Sequence, residues 1–312
     1  MSPFSLTVGD LARLTGRTAS QVTSALAFRP SLQLSYRELT AAEATAVEVE
    51  VEGVIATRDL RVVGGNDPSV WERGWGELAE TLIDRNITLD ALRPQYFHGE
   101  PVCRLDGRFV RGLTPGFEYY AGLALRRIVF DEFLHGFSRI VEFGCGTGLN
   151  LLLLAEHFPD TSLIGTDWAV ASQRLLETMA AKVGAAISGR RFNMLTPEPW
   201  PEGPFGEGTA VLTVHAMEQL GTNWSPFAEF LQRQGAGLCI HIEPLFELYD
   251  QSSAFDKHAI RYHLKRGYLR GFLPYLNERA ANGTAAIVAE RRVAFGGLYH
   301  EAYSVVVWRP LP

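Results

Sequence analysis

Residues Val141-Glu142-Phe143-Gly144-Cys145-Gly146-Thr147-Gly148 constrain this chain more than any other stretch. A short apolar strand runs into three glycines spaced two apart, and a leucine-rich helical segment follows. Glycine is required where backbone amides must approach a ligand closely or take dihedrals that a side chain forbids, and the next helix aims its unpaired amides at the turn. The turn therefore reads as a cradle for a small molecule. The strand Arg139 to Phe143 carries an acid, Glu142, just before the turn, and a second apolar strand, Ser162 to Thr166, runs into Asp167. Two carboxylates thus flank one pocket.

The pattern Glu142-x-Gly144-x-Gly146-x-Gly148, with Asp167 closing the next strand, resembles the cofactor site of the class I S-adenosylmethionine-dependent methyltransferase superfamily. The resemblance covers the chain from about Phe117 to the C-terminus. It implies a Rossmann-like α/β fold: a seven-stranded, mostly parallel sheet with a C-terminal antiparallel hairpin, plus a smaller, mainly helical N-terminal region. It also implies S-adenosyl-L-methionine as cofactor, with Glu142 near the cationic methionine end, Asp167 accepting from both ribose hydroxyls and Trp168 along the adenine. Gly144, Gly146 and Gly148 would let the backbone pass close to the cofactor. Asn193 falls where the family places a polar group facing adenine, and Tyr120, with Phe117 and Glu118, would cover the methionine end. The dinucleotide fingerprint wants Gly-x-Gly-x-x-Gly. Here the third glycine comes one residue early and an acid precedes the first, which favours the sulfonium cofactor over NAD.

The remaining strands follow in the expected order. Ala186 to Phe192 reads as a third strand, and the β-branched runs Ala210 to Val214 and Leu238 to Ile242 read as buried parallel strands. Between them a helix begins at Ser225-Pro226, with proline in its first turn, and stops before Gly235. Two strands close the chain, Thr284 to Phe295 and Tyr299 to Trp308, and Gly296-Gly297 between them predicts a two-residue hairpin turn.

At 312 residues, 46% of them hydrophobic, the chain can bury a large core. It lacks a run long enough to cross a bilayer and a signal-peptide pattern, so no membrane partner and a cytoplasmic location are expected. Cys103, Cys145 and Cys239 lack metal-ligand spacing, which fits a reducing compartment. A net charge of -6 disfavours nucleic acid as a partner.

The expected division is residues 1–116, a substrate, lid or dimerisation region, and 117–312, the cofactor-binding domain with an insertion at 245–281. Asp10 to Leu26 has helix-turn-helix spacing. Its second helix offers Thr18, Ser20, Gln21, Thr23 and Ser24, poor in basic groups for reading DNA. Analogy with small-molecule O-methyltransferases gives such a pair a role in homodimer formation or as a lid. Thr40 to Thr57 reads as helix by Ala44, Val47, Val51 and Val54, although valines alternating with glutamates also suit a strand. Gly64 to Pro68 reads as a linker. Trp71 to Asp84 is an amphipathic helix whose tryptophans face a core, Val102 to Val110 a hairpin about Asp106-Gly107, and Phe117 to Leu134 a helix leading into the sheet.

Chemistry is expected where the fourth and fifth strands end, at the carboxyl edge of the sheet. His215 and Glu218 follow one strand, and His241 and Glu243 close the other, so four ionisable groups should converge near the methyl donor. Methyl transfer to a hydroxyl or amine needs alignment and somewhere for the proton to go. His215 suits the general base, with Glu218 or Glu243 orienting it or holding the acceptor. A divalent ion on these histidines and carboxylates is a lesser alternative, and no metal is assigned. His258 and His263 read as a solvated or anion-facing surface. The aromatic and basic insertion would cap the acceptor pocket, its arginines suiting an anionic acceptor. The function expected is O- or N-methylation of a small molecule in natural-product or sugar biosynthesis. A protein or nucleic-acid methyltransferase, or a noncatalytic cofactor- or DNA-binding regulator on the same fold, are the alternatives.

Overall fold

The computed structural model describes residues 3–27, 29, 33–57, 60–94, 97 and 102–312. The N-terminal part consists of β1 (Phe4–Ser5), α1 (Val8–Thr15), α2 (Ala19–Ala25), β2 (Ser35–Glu38), α3 (Ala41–Ala56), α4 (Ser69–Leu82) and the hairpin β3 (Val102–Leu105) and β4 (Arg108–Gly112). Capping boxes fix where the first helices begin: Thr7 with Asp10, Thr18 with Gln21, and Thr40 with Glu43. The last of these settles 40–57 as helix. Val47, Val51 and Ile55 form its buried stripe against Tyr262 and Tyr268, while Val49, one of the alternating valines, is left in solvent. In the hairpin, Asp106 and Gly107 both have positive φ, as a tight two-residue turn between twisted strands requires.

The larger part follows as α5 (Phe117–Phe133), β5 (Arg139–Phe143), α6 (Leu149–Ala155), β6 (Ser162–Asp167), α7 (Val170–Val183), β7 (Ile187–Arg191), β8 (Gly206–Val214), α8 (Ser225–Gln234) and β9 (Ala236–Glu243). After these come α9 (Ala254–Arg266), α10 (Phe272–Ala281), β10 (Ala285–Arg291), β11 (Phe295–Gly296) and β12 (Ser304–Pro310). The seven-stranded sheet runs β10-β12-β9-β8-β5-β6-β7. Strands β5 to β9 are parallel to one another, and β12 is antiparallel to both β9 and β10. Alternation sends Ile140, Leu212, Ile240 and Val307 to the core on the side of α5, α6 and α7. Val141, Val211, Cys239 and Val306 go to the core on the side of α8 and α10. Both faces are covered, so these strands read as continuous apolar runs.

Three expectations are corrected here. The terminal antiparallel pair is present, but Gly296-Gly297 is not its turn: neither glycine has positive φ, and the chain leaves the sheet after Arg291. Phe295 and Gly296 instead pair with Leu105 and Arg104, completing a five-stranded antiparallel sheet, β1-β2-β4-β3-β11. Gly296 is needed for close packing, since a Cβ there would lie 2.2 Å from the His300 carbonyl oxygen. The 64–68 stretch is not a free linker, because the Val63 and Gly64 amides donate to the Arg266 and Gln219 carbonyls, both at 2.9 Å. His263 is not solvated; it is buried among Phe246, Tyr249, Tyr268 and His300. Among the described residues, no helix is long and apolar enough to cross a membrane.

Candidate active site

Strand order reverses about β5, and a cavity of about 750 Å³ opens at the carboxyl ends of the strands there. Gly144, Gly146 and Gly148 all have positive φ. The Gly144 and Cys145 amides donate to the Thr166 carbonyl at 2.8 and 2.9 Å, which folds the turn onto the end of β6. Asp167 locks the arrangement: Oδ2 accepts from the Gly146 amide at 3.0 Å and Oδ1 from the Ala169 amide at 2.9 Å. Burial pushes its carboxyl up to about 6, and those amide bonds oppose the rise.

Gly144, Gly146, Asp167, Trp168 and Asn193 line the cavity. The Asn193 side chain is already engaged, its Nδ2 donating to Asn66 Oδ1 at 3.0 Å and its Oδ1 accepting from the Leu195 amide at 2.9 Å. Gly148 does not face the cavity. A Cβ there would sit 2.6 Å from Leu176, so this glycine serves the packing of the turn against α7. Glu142 is wholly buried beneath the cavity floor and accepts from Asn150 Nδ2 at 2.6 Å. It is Asn150, in the first turn of α6, that reaches the cavity, with Oδ1 unpartnered among the described residues. Burial pushes Glu142 up to about 8, against the pull of Asn150 and Arg126. Tyr120 points elsewhere: its hydroxyl donates to Asp90 at 2.8 Å and its ring packs edge-on against Tyr119. The same helix presents Glu118 and Arg126 to the cavity instead.

The second group divides. His215, immediately after β8, has φ 54, and its imidazole meets the Tyr303 ring edge-on at 5.0 Å in the cavity wall. Among the described residues its Nε2 has no hydrogen-bond partner, and desolvation, followed by Arg126 and His300, holds it well below the ordinary histidine range. The ring is therefore neutral at pH 7. Glu218 also faces the cavity; Oε1 accepts from Gln219 at 2.7 Å, and Oε2 lies 3.9 Å from His300 Nε2. Burial, reinforced by Glu243, pushes its carboxyl up to about 8.

His241 and Glu243 do not join them. His241 lies within the ladder, opposite Thr213 and Val306, and its side chain enters the core beside α10. Trp308 Nε1 donates to His241 Nε2 at 3.0 Å, so the proton sits on Nδ1 and is given to the Thr213 hydroxyl at 2.9 Å. Glu243 is a buried anchor for the turn that carries the cavity residues. Its Oε1 accepts from the Ala216 and Met217 amides at 3.0 Å, and its Oε2 from the Glu218 amide at 3.1 Å. The two histidines thus share no metal site. A histidine and carboxylate group that does assemble, Asp131 with His135 and His157, lies toward the other end of α5. There Arg127 donates to His157 Nδ1, and Nε2 gives its proton to Asp131 at 3.0 Å, which leaves that ring no lone pair for an ion.

Further wall residues come from segments remote in sequence. Trp71 and Trp75 of α4, stacked at 5.5 Å, line the cavity, and Trp75 also packs against the core as expected. Arg266, Tyr268, His300 and Tyr303 close its far side.

The sheet order and the glycine turn with Asp167 define the class I methyltransferase fold. No protein-family model and no curated protein sequence matches the chain. Solved structures similar to it include the [4+2]-cyclase SpnF, at 13% identity over 62% of this chain and 82% of that one, TM-score 0.46. A SAM dependent methyltransferase from Aquifex aeolicus matches at 12% identity over 60% of this chain and 89% of that one, TM-score 0.42. The 16S rRNA methylase ArmA matches at 15% identity over 76% of this chain and 98% of that one, TM-score 0.42.

Proposed function

We propose that the chain is an S-adenosyl-L-methionine-dependent methyltransferase acting on an oxygen or nitrogen of a small molecule. One observation carries this reading: a single cavity holds both the glycine turn with Asp167 and, at the end of the neighbouring strand, a neutral imidazole with an unpartnered nitrogen.

The residues present fit the cofactor. The Asp167 oxygens each accept one amide bond and retain lone pairs for ribose hydroxyls. Asn150 Oδ1, buried and unpartnered, suits the ammonium of the methionine end, and Arg126, buried without an ion pair among the described residues, suits its carboxylate. Trp71, Trp75 and Trp168 offer flat apolar surface for the adenine. When bound, the cofactor supplies a methyl group already activated by sulfonium charge. The protein's part is to align the acceptor and receive its proton. His215, kept neutral by burial, is the group to receive it, and Glu218 holds or orients the acceptor. Residues 1–116 serve as a covering segment over this cavity, to which Arg61, Trp71 and Trp75 contribute. The test is calorimetry with the methyl donor, then incubation of candidate extracts with radiolabelled donor and mass spectrometry of the labelled product. A chain that binds no donor would refute the reading.

A further inference from the structure

The far side of the cavity is built from the end of α9, the turn after it and the 297–303 segment. Arg266 stands in this wall with Nε buried and unpartnered and its guanidinium 5.0 Å from the centre of the Tyr268 ring. Among the described residues, no ion pair engages it. Elsewhere the chain pairs such guanidinia with acids: Arg292 with Asp256 at 2.8 Å and Glu301 at 2.7 Å, and Arg291 with Glu132 at 3.0 Å. A partly desolvated cation without a counter-ion is costly unless a ligand completes it.

The neighbouring acid does not complete it. Glu218 Oε1 is taken by Gln219 and its Oε2 has no hydrogen-bond partner, and burial leaves this carboxyl largely uncharged at neutral pH, able to donate a hydrogen bond. Nδ1 of His300, in the same wall, is also unpartnered. The wall therefore offers a guanidinium, a protonated carboxyl and a neutral imidazole, with no negative charge of its own. The guanidinium lies over the Tyr268 ring and is hydrogen-bonded to its neutral hydroxyl, which leaves Nε and the remaining N–H groups of the fork for a planar oxyanion. Its backbone is held by the Val63 amide, which donates to the Arg266 carbonyl at 2.9 Å, so the wall is fixed before a ligand arrives.

Resting on the methyltransferase reading, we infer that the acceptor carries an oxyanion, a carboxylate or phosphate, which Arg266 binds at the wall it forms with Glu218 and His300. The experiment is calorimetry on the chain saturated with S-adenosylhomocysteine, titrated in turn with benzoate, phenyl phosphate and benzamide. One of the two anions should bind about tenfold or more tighter than the amide, and which one it is separates carboxylate from phosphate. Arg266→Gln should abolish the preference and Arg266→Lys retain part of it, both with S-adenosylhomocysteine affinity unchanged. Equal binding of all three probes, including none, or a preference that survives Arg266→Gln, overturns the inference. Failure of S-adenosylhomocysteine to bind strikes the cofactor reading instead, and the three probes are then compared on the ligand-free chain by the same criteria.

Discussion

Replacing Glu243 separates a structural anchor from a catalytic acid. In the fold its two oxygens take three consecutive backbone amides, at 3.0, 3.0 and 3.1 Å, and so hold the turn that carries His215 and Glu218. Burial pushes the carboxyl up to about 7 against the pull of these bonds, so the measurement belongs at pH 8 or above, where the anion prevails. Glu243→Gln keeps an acceptor for Ala216 and Met217 but turns an NH2 group toward the Glu218 amide. That loses one bond and strands a buried donor, a cost of about 1–3 kcal/mol. Glu243→Ala strands all three donors, roughly 3–9 kcal/mol before any water enters. Since a domain's whole stability is about 5–15 kcal/mol, the alanine variant should sit near the limit of folding and the glutamine variant should give the quantitative result. Urea unfolding with an unchanged m-value measures the loss. An alanine variant within about 0.5 kcal/mol of the parent would refute the anchoring argument. So would a glutamine variant that keeps full stability but has lost turnover, the pattern of a group acting on the acceptor itself.

Asp167→Ala should weaken methyl-donor binding by about 1–3 kcal/mol through loss of a charge-assisted contact, read by calorimetry; unchanged affinity rules out its role. His215→Ala should leave donor affinity within about twofold and slow single-turnover transfer by roughly a hundredfold or more, and full activity removes it as base. Stability should fall as pH rises from 6.5 to 8.5. Glu142 and Glu218 titrate at about 8 in the fold against an ordinary 4.5, so the folded state holds more protons in that window. Glu218→Gln should flatten this limb of the melting curve, and a parent curve that rises with pH over the same window contradicts the assignment.

The strands and the glycine turn were legible because burial on both faces leaves apolar runs that only a covered sheet can use, and because positive φ leaves glycine as its trace. The helix after Trp224 was legible from both ends, Pro226 in its first turn and Gly235 just beyond its last. His241 was misread because period two states that neighbours face opposite ways, not which way leads to the site. A residue inside the ladder keeps its strand's alternation, whereas His215, one step past the ladder and in the left-handed region, turns out of it. Helix α5 carries a usable signal: Glu118, Gly122 and Arg126 recur every four residues and share a face, and Tyr120 does not. Arg266, His300 and Tyr303 had no local signature, since only tertiary packing brings 266 and 300 beside 215.

The pairing of Phe295 with Leu105 joins positions 190 residues apart, across every parallel strand of the large sheet. During synthesis the small sheet must wait, its β3 edge open, until residues 295 and 296 have left the ribosome. The same late segment delivers His300 and Tyr303 to the cavity. Docking of that segment thus reports on everything before it: a molecule lacking residues from 295 on has its glycine turn but not the cavity wall that His300 and Tyr303 form.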